Sequence, residues 1–152
     1  MQKLSKLIAT VCFIGYVPFA SGTVASLAGL GAYLLVRNNA PLYFTLTALS
    51  LILGFWSASA FVRHSSEKDP SEVVIDEFSS MLLVYLFIPF NVKLLIIGFF
   101  LFRFFDIFKI HPIKRLEKLP GGAGIMLDDV ASAILTNLIL QVLNFGFRSF
   151  LY

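Results

Sequence analysis

Two pairs of adjacent acidic residues stand at matching places in this chain. Asp76-Glu77 directly precedes the uncharged run 78–92, and Asp128-Asp129 directly precedes the uncharged run 130–147. A carboxylate at a helix N-terminus is stabilised by about 0.3–1 kcal/mol through the helix dipole, so one pair alone calls for no ligand. Two pairs heading two apolar helices on one face are different, because four carboxylates brought together repel one another. A divalent cation relieves that repulsion, and a set of oxygen donors selects a hard ion, Mg²⁺ or Ca²⁺. Mg²⁺ takes one or two carboxylates and leaves positions for phosphate oxygens. Asp76, Glu77, Asp128 and Asp129 are therefore the candidate metal ligands.

Between the two pairs lies Phe102-Arg103-Phe104-Phe105-Asp106-Ile107-Phe108-Lys109. On a helix, Arg103 and Asp106, and then Asp106 and Lys109, are close neighbours at a spacing of three. Charged groups among aromatic residues near the hydrocarbon boundary are expensive, which points to function, although a structural ion pair has the same spacing. Arg and Lys are also the residues that hold phosphate. Asp106 joins the candidate catalytic set with the four acids above. Arg103 and Lys109 are the candidate phosphate ligands. Pro120-Gly121-Gly122-Ala123-Gly124 reads as a flexible turn in which Gly121 and Gly122 let backbone N–H groups approach an anion. Gly22-Thr23-Val24-Ala25-Ser26 interrupts an apolar run. Thr23 and Ser26 there serve either helix packing or a phosphate or lipid headgroup. Neither His64 nor His111 has the company of a metal ligand. An Asp-x-Asp-x-Thr nucleophile motif and a Cys-x5-Arg loop are both absent from the sequence.

The elements that must position these groups are apolar. Of 152 residues, 58% are hydrophobic, 14% are charged and 17 are Phe, with a mean hydropathy of +0.86. A soluble domain carries about 45–50% apolar and about 25% charged residues, so the composition points to an integral membrane protein. Uncharged runs cover 7–36, 38–62, 78–92, 94–102 and 130–147. Crossing the hydrocarbon takes about 20 helical residues, which makes 41–62 the clearest span and 130–147 a second. The fold expected is all-α: a small polytopic helical membrane protein, one domain over 1–152, with about 4–5 membrane-embedded helices and its polar loops gathered on one face. The run 78–102 is expected to form a hairpin that turns at Pro89-Phe90-Asn91.

All nine acidic residues fall between Glu67 and Asp129. Threading the spans puts both acidic loops on one face. Arg63, Lys68, Arg103, Lys109, Lys114, Arg115 and Lys118 share that face, against Arg37, Lys93 and Arg148 on the other. The positive-inside rule then directs the acidic face to the cytoplasm. Lys3 and Lys6 stay unassigned, because 7–20 could cross or re-enter. Pro18-Phe19-Ala20-Ser21 makes a poor cleavage site, so this segment is not expected to be a removed signal peptide. The single cysteine, Cys12, reads as a packing residue. Asn137, Gln141 and Asn144 form a polar stripe on the last helix that faces either the bundle interior or another copy of the chain.

Taken together, these motifs resemble the phosphatidylglycerophosphatase A family of bacterial membrane phosphatases. The resemblance runs from about Gly15 to Ala133. It is carried by Gly22-Thr23 with Ser26, Asp69-Pro70 followed by Val74-Ile75-Asp76-Glu77, Phe102-Arg103 with Asp106 and Lys109, Pro112-Ile113, and Gly121-Gly122 with Gly124-Ile125-Met126 and Asp128-Asp129. Ser21, Ala25 and Ile110 stand where the family usually has proline, glycine and proline; no charged group is lost. The resemblance implies Mg²⁺-dependent hydrolysis of phosphatidylglycerophosphate to phosphatidylglycerol, in the bacterial cytoplasmic membrane, with the site facing the cytoplasm.

On this reading Asp76, Glu77, Asp128 and Asp129 hold Mg²⁺ with Asp106 nearby, and Arg103 and Lys109 bind phosphate oxygens. The nucleophile is either water or an aspartate that would form an acyl phosphate. The alternatives are a phosphatase acting on another lipid or a small phosphoester, and a small cation transporter. A transporter would carry its acids in mid-span, whereas here they gather at span ends.

Overall fold

The computed structural model describes residues 2–149 apart from 66, 68 and 69. Lys68 and Asp69, and the side chain of Arg148, thus lie outside the described residues. Within them the chain is all helical: α1 (Gln2–Ala9), α2 (Ser21–Val36), α3 (Ala40–Val62), α4 (Ile75–Val84), α5 (Val92–Phe108) and α6 (Gly122–Ser149), with short 3₁₀ turns at Ile14–Tyr16 and Ile113–Lys118.

Local chemistry accounts for the boundaries. Asn39 caps α3, its Oδ1 accepting from the Leu42 amide at 3.1 Å, and Pro41 follows in the first turn. Asn91 caps α5 in the same way, accepting from the Lys93 amide at 2.8 Å. Lys109 ends α5 in a left-handed conformation, with φ 40°. Gly121, at φ +66°, turns the chain into α6.

Two helices are long and apolar enough to cross a membrane, α3 and the stretch Gly122–Gly146 of α6, with the 16-residue α2 a shorter apolar companion. The four to five embedded helices expected above therefore reduce to two of spanning length. The reason is where the helices stop. At 1.5 Å per residue, the 10-residue α4 reaches only about 15 Å and the 17-residue α5 about 25 Å. The 78–102 run turns earlier than expected: α4 ends at Val84, and Asn137 of α6 donates to the Val84 and Leu86 carbonyls at 2.9 and 2.8 Å. Residues 85–91 make the connection.

The N-terminal segment forms no helix of spanning length. Its eight-residue helix stops where Val11, Cys12 and Phe13 all take positive φ. The chain then folds back, and the Ala9 carbonyl accepts from the Val74 amide at 2.9 Å. Cys12 is exposed, which corrects its reading as a packing residue.

The core has two parts. Tyr33, Tyr43, Leu82, Tyr85, Phe102 and Leu140 fill the middle of the molecule and the end remote from the acids. Ala9, Ala58, Val73, Ile75 and Met126 lie nearer the acids. Large apolar side chains such as Leu35, Ile52, Phe100 and Val142 point outward, and only 28% of the most apolar stretch of α3 is buried. A soluble core helix would be mostly buried; an outward apolar belt suits lipid.

Candidate active site

The N-terminal turns of α2, α4 and α6 meet the C-terminal turn of α5 at one end of the bundle. Asp76 and Glu77 sit in the first turn of α4. Asp128 and Asp129 are not at the mouth of their helix, because α6 begins at Gly122 and places them in its second turn. The expected glycine loop is accordingly a helix start.

Three carboxylates come together there. Asp76, Glu77 and Asp129 each offer an oxygen within 4.8 Å of the others. Asp76 Oδ1, Glu77 Oε2 and Asp129 Oδ2 are buried without a hydrogen-bond partner. Burial first, and then the Glu77 charge, hold the Asp76 carboxyl well above the usual carboxylate range. Burial likewise raises Glu77.

The other two acids are already paired. Asp106 meets Arg103 Nη1 at 2.5 Å, as its three-residue spacing on α5 predicts. Lys109 does not meet Asp106. Its left-handed backbone turns it toward α6, where Nζ donates to Asp128 Oδ2 at 2.6 Å. Burial opposes the Lys109 ammonium, but the hydrogen bond and charge of Asp128 outweigh it and raise its pKa above the ordinary lysine value. Neighbours in sequence are thus divided in role: Asp129 faces the acid triad while Asp128 accepts from Lys109. Each residue turns about 100° around the helix, so adjacent side chains diverge.

Arg103 links the parts. Its Nη1 also donates to Ser26 Oγ at 3.3 Å and stands 4.0 Å from Glu77 Oε1, and its buried Nε has no partner. Gly22 leaves room for this closeness, since a Cβ there would meet Glu77 Oε1, displacing the end of that side chain, and lie 3.5 Å from Arg103 Nη1. Thr23 is half-buried beside it, with no side-chain hydrogen bond among the described residues. Gly122 has a different use: a Cβ would strike the backbone of Ser59, so this glycine lets α6 close against α3. Gly121 has open space around its Cα and lines a cavity instead.

Two cavities flank the acids. One, of about 490 Å³, is lined by Tyr16, Gly22, Ser71, Glu72, Glu77 and Arg103. The other, of about 280 Å³, is lined by Lys114, Lys118, Gly121 and Asp128 among others. Lys114 and Lys118 entered the sequence reading only as loop charges. Their i, i+4 spacing beside the glycine turn was the available signal.

Five carboxylates against two cations, Arg103 and Lys109, leave a formal excess of three negative charges in a buried cluster. Buried charge must be paired, neutralised by protons, or coordinated to a metal. Three unpartnered carboxylate oxygens from Asp76, Glu77 and Asp129 fit a hard divalent cation. The stripe on α6 looks inward at Asn137, which bonds to α4, and Gln141 donates to Asn137 Oδ1 at 2.7 Å.

Comparison with known proteins bears on what this geometry serves. The chain is 34% identical over 148 residues to a Bacteroides thetaiotaomicron protein named, provisionally, a phosphatidylinositol-3-phosphatase, covering 91% of this chain and 92% of that one. It is 36% identical over 135 residues to phosphatidylglycerophosphatase A of Haemophilus influenzae, covering 86% of this chain and 83% of the relative. The Escherichia coli protein of the same name is 30% identical over 133 residues, covering 86% and 77%. No solved structure matches at a significant level. The profile of phosphatidylglycerophosphatase A matches residues 7–144, and the chain belongs to that family.

Proposed function

We propose that the protein hydrolyses the phosphate monoester of phosphatidylglycerophosphate, releasing phosphatidylglycerol and inorganic phosphate, with Mg²⁺ held at the acid cluster. The observation that carries the reading is the set of three buried, unpartnered carboxylate oxygens close to the paired cations Arg103 and Lys109, in a chain of this family. Asp76, Glu77 and Asp129 are the metal ligands on this reading, with Asp128 oriented by Lys109 and Asp106 by Arg103. Mg²⁺ would supply charge neutralisation for a phosphate dianion that otherwise repels a nucleophile.

The residues divide the remaining work. Arg103 keeps Asp106 with Nη1 and has Nε free to donate to a phosphate oxygen. The Lys109 ammonium has three donors and spends one on Asp128, leaving others for the substrate. Ser26 holds Arg103 through its hydroxyl, Thr23 follows Gly22 of the Arg103 cavity in the first turn of α2, and on the other side Gly121 borders the Asp128 cavity while Gly122 seats α6 on α3. In the reaction a nucleophile oxygen adds to phosphorus, the bond from phosphorus to the glycerol oxygen breaks, and that oxygen takes up a proton. The nucleophile is water or an aspartate; the stereochemical course at phosphorus, followed with a chiral thiophosphate analogue of the substrate in ¹⁸O-water, distinguishes them: one displacement by water inverts the configuration, and two displacements through an aspartate retain it.

The topology adopted is multi-pass in the bacterial cytoplasmic membrane, with the acid end toward the cytoplasm. Its support is the alternation of ends: Ser21, Val62, Ile75, Phe108 and Gly122 lie at the acid end, while Val36, Ala40 and Val92 lie at the other. Association of copies through Gln141 and Asn144 stays open on this reading, because Asn137 is already satisfied within the chain.

A second reading, phosphatidylinositol 3-phosphate as substrate, is favoured by the name of the Bacteroides relative. One experiment separates the readings. Purified protein in detergent is given each phospholipid, with Mg²⁺ and with EDTA, and phosphate release is measured. Release from phosphatidylglycerophosphate that EDTA abolishes is expected. Faster release from the phosphoinositide would replace the substrate assignment, and EDTA-resistant release would remove the metal from it.

A further inference from the structure

The end of the bundle remote from the acids carries a second built site. Arg37 follows α2 there, and its guanidinium lies 3.7 Å over the ring of Phe90. Its Nε is buried and has no hydrogen-bond partner, and among the described residues it makes no ion pair. Among the described residues no acidic side chain is in reach: those described lie in loops and helix turns at the opposite end, and the 16 residues of α2 separate Arg37 from that end by about 24 Å.

Arg37 borders a cavity of about 350 Å³ lined by Tyr33, Asn38, Tyr43, Tyr85 and Phe90 among others. Two of the hydroxyls are already committed: Tyr43 donates to the Leu82 carbonyl at 2.5 Å and Tyr85 to the Leu95 carbonyl at 2.7 Å. The walls are thus largely aromatic faces, and Arg37, Asn38 and the Tyr33 hydroxyl are the side-chain donors left to meet a ligand. Stacking on Phe90 holds the guanidinium plane in place. Phe44 and Phe87, which also line the cavity, and Leu35 in the last turn of α2 are exposed, a surface suited to acyl chains.

We infer that this cavity binds the phosphate of an anionic phospholipid in the leaflet opposite the acid cluster. Three features select that ligand class. An unpaired, partly buried guanidinium seeks an oxyanion. The apolar surface beside it favours a lipid over free phosphate. Among the described residues no carboxylate lines the cavity, which leaves nothing there to hold the ammonium of a zwitterionic headgroup. The inference is independent of the reaction assigned to the acids.

The test uses the full-length protein in detergent and native mass spectrometry, with dioleoylphosphatidylmethanol as probe. This lipid is a phosphodiester monoanion and offers no monoester for hydrolysis. Wild type is expected to retain one tightly bound probe molecule, and Arg37→Met to bind it about tenfold more weakly or worse, the loss of a charge-assisted contact. Lys93→Gln, a cation at the same end outside the cavity, is expected to bind as wild type. Dioleoylphosphatidylcholine should not compete, and inorganic phosphate should compete only at far higher concentration. Equal binding by Arg37→Met, or equal retention of phosphatidylcholine, overturns the site. Displacement by phosphate at concentrations matching the lipid makes it a free-anion site and overturns the lipid assignment. Should circular dichroism show Arg37→Met unfolded, Phe90→Leu removes the ring under the guanidinium and is held to the same comparison, with weakened binding expected.

Discussion

Asp129→Asn separates the two things a buried acid triad can do, because it should move activity and stability in opposite directions. Asp129 is 2% exposed, and its Oδ2 has no partner. The amide keeps the shape but removes one charge and one acceptor oxygen. Losing an electrostatic contributor to a phosphate-transfer site costs about 10²–10³ in rate, and a direct ligand stands at the upper end, about 4 kcal/mol of barrier. The free protein should gain. Two unit charges at the 4.8 Å limit that encloses the three oxygens repel by about 3.5 kcal/mol at an effective dielectric of 20. Part of this is already relieved, because burial and Glu77 favour the neutral form of Asp76. A net gain of about 1 kcal/mol remains, roughly 2–4 °C in melting temperature for a chain of this size. Thermal melts in EDTA and in Mg²⁺, beside phosphate release from phosphatidylglycerophosphate, read both effects. Wild type should melt higher with Mg²⁺, through the linkage of binding to stability, and Asp129→Asn should respond far less. Turnover within threefold of wild type, or an undiminished Mg²⁺ shift, would falsify the metal assignment.

Other residues make further demands. Lys109→Met should lower turnover about 10²-fold and destabilise the fold by removing a cation from the buried Asp128 carboxylate, whereas Lys109→Arg should recover part of both. The pKa of Lys109 is raised on folding, so its contribution is fully present below the ordinary lysine value near 10.4 and lost only above the raised one. The destabilisation by Lys109→Met, measured by thermal melts, should accordingly be the same at pH 6 and pH 9. Gly22→Ala should reduce turnover by about tenfold or more with little loss of stability, since the added methyl meets the flexible end of Glu77. Gly122→Ala meets the rigid backbone of Ser59, and denaturation should show a loss of about 1–3 kcal/mol. Asn137→Leu strands the Val84 and Leu86 carbonyls and should cost about 2 kcal/mol in the same assay, with phosphate release kept in the protein that stays folded.

Much of this protein was legible in one dimension. Uncharged runs and Asn caps mark α3, and the crowding of acids between Glu67 and Asp129 puts them at one end, because apolar helices cannot carry them through hydrocarbon. The i, i+3 spacing on α5 marks the Arg103–Asp106 pair, although the same spacing does not join Asp106 to Lys109, which the left-handed end of the helix turns toward Asp128. Motif order is enough to suggest the family. The sequence could not say which acids meet. Asp128 and Asp129 are adjacent in the chain, yet a helical turn of about 100° sends one to Lys109 and the other to Asp76 and Glu77. Nor does local composition tell a glycine that cradles a ligand from one that admits a neighbouring helix; only the approach of Ser59 to Gly122 and of Glu77 to Gly22 does. The count of spanning helices likewise depended on where long-range bonds end them, as Asn137 does at Val84. Spacing along the chain fixes what a residue can reach within its own helix. Which helix packs against which, and at what rotation, decides what it meets across the bundle.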